Sequence, residues 1–356
     1  MTSGDDDGAS VDGANADAAN LLRWQVGQTH RYEVWFLTFN HRETGAGFWI
    51  RYTLRAPAAD QGDATATVWF ARFDPDKSGA TFGIHQETPI TTLVTENSPF
   101  RLSVGANRLT SASACGALSG AGHNVQWNLR WPASKATTRL LPDVAYLRGG
   151  LFETIVQSPT GSAPVTGEII VDDIHYKFAG EPLAQSHLWG KKHAYEWVWG
   201  RCLQFGDRND VRFEAFSTRL RRGNWTLPPM TIATLRIGNE TLAFNQFRHI
   251  PWARAAWRTG HYRFSVRNAK ARLDGVFTVA APDLLMAPYV DPDGEAVWCA
   301  NSEISSAVLH LRRRQGMRWG TAETLSADGT AHFETGGRRR ASEVETLHQK
   351  LPMRHV

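Results

Sequence analysis

Cysteine is scarce, and Cys115, Cys202 and Cys299 are too far apart for a C-x-x-C pair and odd in number. Neither a disulfide framework nor a thiolate metal site is specified, and a reducing, cytoplasmic setting is expected. No apolar run approaches the ~18 residues that span a bilayer, which removes a spanning helix and leaves peripheral membrane contact open. The opening residues lack the basic start and apolar stretch of a secretory leader. They are mostly Asp, Ala, Gly, Ser and Asn, so residues 1–22 are expected to form a disordered tail. Also missing are G-x-x-x-x-G-K-[ST], G-x-G-x-x-G after a strand, H-E-x-x-H and G-x-S-x-G. The commonest phosphate, dinucleotide, zinc-protease and hydrolase chemistries lose support, and neither cofactor nor metal is expected.

What the chain has is rings: 14 Trp and 17 Phe against 5 Met, a composition that favours strands and large apolar pockets. Val125, Trp127, Leu129 and Trp131 alternate with Asn124, Gln126, Asn128 and Arg130, the pattern of a strand with one buried face. Further strands are expected at 32–40, 48–54, 65–73, 100–104, 168–178, 195–205, 211–220, 231–237, 241–247, 262–266, 272–279 and 304–311. Turn signals such as Thr44-Gly45, Gly206-Asp207 and Asp293-Gly294 separate them. The class is therefore all-β, sandwich or barrel, with Ser342–Lys350 the best helix candidate. The formal net charge of +4 comes from dispersed basic residues, and the clusters Arg312–Arg314 and Arg338–Arg340 read as solvated strand edges. No nucleic-acid partner is expected.

Gly180-Glu181-Pro182 suggests a boundary, giving an N-terminal unit over 23–180 and a C-terminal one over 181–356. The two units echo one another. His30-Arg31-Tyr32-Glu33-Val34-Trp35 resembles His193-Ala194-Tyr195-Glu196-Trp197-Val198, and both open a strand near the start of a half, as a duplication would.

The segment from His187 to Cys202 is the most distinctive. On a strand Tyr195, Trp197 and Trp199 share one face, and Glu196, Val198, Gly200 and Cys202 the other. The rings either fill a core or line a ligand cavity. Glu33 and Glu196 sit among apolar neighbours, and a buried carboxylate must pair or take a proton. Paired with Arg they are structural; unpaired in an apolar pocket they are candidate general acids. His187 and His193 pose the same choice. In Asp172-Asp173-Ile174-His175 at most Asp173 and His175 converge on one strand face, too few for a metal site, and Asp74-Pro75-Asp76-Lys77-Ser78-Gly79 lacks the closing Glu of an EF-hand and reads as a turn.

Three stretches resemble the two-domain lipocalin-like superfamily of tocopherol cyclase, carotenoid 1,2-hydratase (hydroxyneurosporene synthase) and AttH-type proteins. They are Tyr32-Glu33-Val34-Trp35-Phe36, the block from His187 to Cys202, and Val297-Trp298-Cys299-Ala300-Asn301-Ser302-Glu303. The resemblance implies two tandem lipocalin-like antiparallel β-barrels packed against each other. It implies a pocket between them in which an acid protonates an isoprenoid double bond, with Glu196, Glu33 or Glu303 as donor. Trp35, His187, Trp189, His193, Tyr195, Trp197 and Trp199 are the ligand-binding candidates. The hydratase's catalytic aspartate motif finds no match. Two alternatives stay open: a non-catalytic carrier of a hydrophobic small molecule, its carboxylates matched by Arg, and a scaffold with an apolar docking surface. The sequence does not specify the oligomeric state.

Overall fold

Aromatic and β-branched residues at alternate positions, punctuated by glycine turns, make nearly every segment extended. The computed structural model describes residues 16–76, 80–147, 153–223 and 225–339, so the helix expected over 342–350 lies outside the described residues. The first half holds helices α1 (Ala16–Asn20) and α2 (Asp143–Leu147) and strands β1 (Arg31–Asn40), β2 (Gly47–Ala56), β3 (Thr65–Phe73), β4 (Phe82–Pro89), β5 (Leu93–Asn97), β6 (Phe100–Val104), β7 (Asn107–Thr110), β8 (Ser113–Gly120), β9 (His123–Arg130), β10 (Thr138–Arg139), β11 (Thr154–Val171) and β12 (Ile174–Gly190). The second half holds β13 (Glu196–Cys202), β14 (Val211–Arg219), β15 (Arg221–Arg222), β16 (Trp225–Thr226), β17 (Met230–Ile237), β18 (Glu240–Ala243), β19 (Arg254–Arg258), β20 (His261–Arg267), β21 (Ala271–Thr278), β22 (Leu285–Val290), β23 (Ala296–Gln315), β24 (Arg318–Trp319) and β25 (Glu323–Gly337). No helix among the described residues is long and apolar enough to cross a membrane.

The two sheets repeat one plan. The first runs β4-β3-β2-β1-β12-β11-β9-β8-β7-β6-β5 and the second β18-β17-β14-β13-β25-β23-β21-β20-β19. In each, the opening strand lies between its hairpin partner and the last strand of its half, so β13 occupies the place of β1 and β25 that of β12. Each sheet curls around its own core, the lipocalin-like arrangement. Trp35, Leu37, Phe39, Tyr52 and Trp127 fill the first, and Val198, Cys202, Phe213, Phe264 and Phe277 the second. A third core joins the barrels and is built from their outer faces, including Tyr32, Val34, Phe36, Trp49, Trp197, Trp199, Leu285 and Tyr289. Strands at this junction are buried on both sides, which is why β1 shows no polar alternation along its length.

Gly47 fixes the closest approach: a Cβ there would lie 2.4 Å from Glu303 Cβ and 3.1 Å from the Glu303 carbonyl. Only a residue without a side chain lets β2 and β23 come so near.

Several expectations need correction. The strand expected over 168–178 is the end of β11, a turn, and the start of β12; Asp172 and Asp173 adopt φ of 49° and 69°, a conformation Asp tolerates in turns. Asp173 and His175 therefore do not share a strand face, and His175 pairs with Glu168 at 2.9 Å. Gly180-Glu181-Pro182 lies inside β12, where Gly180 takes φ 118° and the Glu181 carboxylate accepts the Ala179 N–H at 2.7 Å. The turn-like residues there serve an irregularity in the β11–β12 ladder, and the strand continues to Gly190. The strand expected over 241–247 ends at Ala243, and Phe247 opens a 3-10 turn, Phe247–Trp252. Strands β4, β8 and β25 escape the pattern search because polar and small residues dilute their alternation.

The tail expectation also fails from residue 16 onward. Ala16, Ala19 and Asn20 are buried. The carbonyl of Ala19 accepts hydrogen bonds from Gln157 Nε2 at 2.7 Å and His187 Nδ1 at 2.7 Å, and the carbonyl of Asn20 accepts one from the Trp35 indole at 3.0 Å. The backbone of α1 thus satisfies polar groups inside the first barrel that would otherwise be unpaired.

Candidate functional site

Because β1 and β13 each bury two faces, the side chains that alternate outward meet at the junction. Tyr32 and Phe36 project from β1, Trp49 and Arg51 from β2, Trp197 and Trp199 from β13, and Tyr289 from β22. Together with Leu141, Val156, Leu188, Met230 and Ile232 they line a cleft that opens to solvent at its mouth. A concave, mostly apolar site between domains with a few placed polar groups is the usual form of a small-molecule site.

His193 is the most organised polar group in the cleft wall. Its ring lies 4.5 Å from that of Tyr32, 5.4 Å from Trp197 and 5.5 Å from Tyr289, in stacked geometry each time. Nδ1 bonds Asp291 Oδ1 at 2.6 Å, and the His193 backbone N–H also reaches that carboxylate. Asp291 is buried and forms an ion pair with Arg338 Nη1 at 2.7 Å. Burial opposes its charge, but His193 and Arg338 outweigh that and hold Asp291 below the ordinary aspartate range. With Nδ1 committed to Asp291, Nε2 is the nitrogen left for a molecule in the cleft, the positioning logic by which a carboxylate fixes an imidazole.

Besides the exposed Glu153, two further charged groups line the cleft. Glu334 Oε1 accepts the Trp197 indole N–H at 2.6 Å, and Gly336, opposite Trp197 in the ladder, leaves room for that indole, since a Cβ there would sit 2.2 Å from it. Arg51 lies over the Tyr289 ring at 4.2 Å and donates from Nε to Thr53 Oγ1 at 2.9 Å.

Behind Trp199 the junction turns polar. Arg201 crosses from the second barrel to the Ser158 and Ser186 hydroxyls of the first, at 3.1 and 2.6 Å, and pairs with Glu214 at 2.6 Å. Glu303 is buried and bonds His332 Nδ1 at 2.7 Å, and the His332 ring meets Trp199 edge-on at 6.0 Å. Burial pushes the Glu303 carboxyl above its ordinary range despite the opposing influence of His332 and Arg201.

The structure sorts the sequence candidates. His193, Trp197 and Trp199 line the cleft, whereas Trp35, His187, Trp189 and Tyr195 do not. Trp35 and His187 stack at 4.6 Å inside the first barrel. Trp189 packs beneath Arg23 at 5.2 Å and Tyr195 beneath Arg221 at 5.2 Å. None of the three candidate carboxylates lines the cleft. Glu33 accepts the backbone N–H groups of Arg23 and Trp24 and bonds His187 Nε2 at 2.8 Å. Glu196 pairs with Arg219 at 2.8 Å on the half-buried rim of the second barrel, and Glu303 stands one layer behind Trp199. Sequence reasoning missed Arg51, Tyr289, Asp291 and Glu334. Asp291-Pro292-Asp293-Gly294 reads as a turn, and Arg338, taken for a solvated strand edge, is instead the counter-ion of Asp291.

A family model, tocopherol cyclase-like, matches residues 125–337. No curated protein sequence matches the chain. Among solved structures, that of CghA with Sch210972 aligns with a TM-score of 0.53 at 9% identity, covering 86% of this chain and 88% of that one. A putative AttH from Nitrosomonas europaea aligns with a TM-score of 0.49 at 15% identity, covering 87% of this chain and 93% of that one. The family match takes in the closing strands of the first barrel and the second barrel through β25, more than half of the chain, and the chain belongs to the tocopherol cyclase-like family.

Proposed function

We propose that this protein binds a hydrophobic, isoprenoid-like small molecule in the cleft between its two barrels. The observation that carries this reading is the convergence of Tyr32, Phe36, Trp49, Trp197, Trp199 and Tyr289 from both barrels on one open cleft, while the barrel interiors themselves are packed with side chains. Burial of an extended hydrocarbon against these rings supplies affinity in proportion to area. CghA, which shares this fold and was solved with Sch210972, supports the idea that such a pair of barrels accommodates a ligand.

Binding without catalysis gains support from the carboxylates, since Glu33, Glu196 and Glu303 are all partnered and all lie off the cleft. A second reading, acid-catalysed cyclisation or hydration, rests on a different group. His193, held by Asp291 in an aromatic wall, is placed to pass a proton to a double bond, with the Trp197 and Trp199 faces beside the cation that forms. Native mass spectrometry of the protein incubated with a lipid extract, compared with His193→Gln, tests both. A lipid recovered from both proteins at unchanged mass and unchanged chromatographic retention establishes a carrier, and a hydrated product, or an isomer of shifted retention, made by the wild type alone establishes catalysis. Absence of any bound lipid overturns the binding reading.

A further inference from the structure

Arg51 is a cation with 6% exposure in an apolar cleft. Arginines elsewhere at the junction have acidic partners: Arg201 has Glu214, and Arg338 has Asp291. For Arg51 no carboxylate lies within ion-pair distance among the described residues, and only its Nε is hydrogen-bonded, to Thr53. Of the two acids that line the cleft, Glu334 is engaged by the Trp197 indole and Glu153 is exposed. Rings hold the guanidinium in place, Tyr289 at 4.2 Å and Trp49 at 5.7 Å, and this leaves its terminal N–H fork for something outside the chain. A buried charge without a counter-ion is costly, and such sites persist where a ligand supplies the missing partner.

We infer that the ligand is a carboxylic acid: an isoprenoid-like molecule whose carboxylate pairs with the Arg51 fork while its hydrocarbon body lies along the Trp197 and Trp199 wall. This rests on the binding reading above and adds the polar end of the molecule. Guanidinium geometry suits a planar pair of oxygens, and a charge-assisted pair shielded from water discriminates strongly against the neutral analogue. Retinoic acid and retinol are matched probes that differ at that end only. Titrated into the wild-type protein at neutral pH, the acid binds at least tenfold more tightly, and in Arg51→Gln the preference falls below threefold. Arg236→Gln, an exposed arginine whose guanidinium is bonded to the Gly238 carbonyl, retains the preference and shows that overall charge is not its source. Equal binding of acid and alcohol by the wild type, or an unchanged preference in Arg51→Gln, overturns the proposal while leaving the cleft as a binding site. If neither probe binds, both readings fall.

The mouth of the cleft carries an independent signal. Its rim includes Leu220 and Met230, which flank the β15–β16 hairpin, and Phe247 and Ile250 of the 3-10 turn. From these two elements Trp225 is 80% exposed, Trp252 56% and Phe247 47%. Across residues 219–267 the sequence has nine arginines (219, 221, 222, 236, 248, 254, 258, 263 and 267), no lysine and a single acid, Glu240. Arg219 is paired with Glu196, but Arg221 and Arg254 are bonded to backbone carbonyls and Arg267 covers Trp252 at 4.2 Å, so the charge of these three is not neutralised by carboxylates among the described residues. We propose that this rim seats on an anionic bilayer surface, with the aromatic side chains at headgroup depth and the cleft mouth facing the lipid. Vesicle flotation needs no cleft ligand and so tests this separately. The wild type floats with vesicles of phosphatidylcholine mixed with phosphatidylglycerol far more than with phosphatidylcholine alone, and both Trp225→Ala/Trp252→Ala and Arg248→Glu/Arg254→Glu lose that partitioning roughly tenfold or more. No flotation of the wild type, wild-type flotation by both double variants, or tighter binding to single-stranded RNA than to vesicles overturns it.

Discussion

Glu33 and Glu196 occupy the same position in two copies of one strand plan, the glutamate of each Tyr-Glu pair, yet they do different work. Glu33 is sealed in the first barrel, where its oxygens take the N–H groups of Arg23 and Trp24 and the His187 imidazole. Glu196 stands on the half-buried rim of the second and meets one Arg219 nitrogen. The difference follows from what lies over each barrel end. Residues 16–24 cover the first, whereas at the second Glu196 is left to water and a guanidinium. A carboxylate's role is set by which backbone passes above it, and the strand that carries it does not reveal that.

The largest expected effect separates the two glutamates directly. Glu33→Ala strips partners from buried N–H groups and an imidazole, and urea unfolding is expected to show a loss of about 3–5 kcal/mol. If it costs no more than an exposed ion pair, the proposed clamp on residues 16–24 is wrong. Asp291→Asn comes next. It breaks a buried pair at the point where the halves join, with an expected loss of about 2–4 kcal/mol and a changed pH response. Asp291 has a depressed folded value, so its stabilisation is present above the ordinary aspartate value of 3.8 and is lost as pH falls through the lower folded one. Acid unfolding monitored by fluorescence should lose that component in the variant. Glu303 has the opposite sign, because its raised folded value makes its contribution fullest below 4.5 and lost as pH rises. Gly47→Ala forces the barrels apart at Glu303, and thermal denaturation should report about 1–3 kcal/mol of overpacking. Smallest of all, Glu196→Ala should cost under about 1 kcal/mol, since the pair is partly solvated. A loss as large as that of Glu33→Ala would erase the contrast between the two barrels.

The all-β class and the duplication could be read from alternation and from the repeated Tyr-Glu dipeptide, and the two barrels were implied by the resemblance, while whether the rings of Trp197 and Trp199 fill a core or line a cleft was left open. Other parts of the site could not. Along β1 every interior position is buried, so periodicity cannot say which of Trp35 and Phe36 faces its own barrel and which faces the junction; the partner sheet decides. Arg51 and Tyr289 are brought together by two strands more than two hundred residues apart in a sequence that marks neither as special. Asp291 was hidden by Pro and Gly, which signal a turn whether or not the carboxylate before them is buried.

The stopper in the first barrel bears on the order in which the chain is made. Asn20 bonds Gln185 across 165 residues, and Ala19 bonds His187 across 168. Residues 16–24 therefore leave the ribosome long before the strand that receives them exists, and they must wait, unpaired, until β12 has been synthesised and laid beside β1. Contacts of such separation form late and slowly. The earliest part of the described chain is thus among the last to settle, and its arrival marks completion of the first barrel.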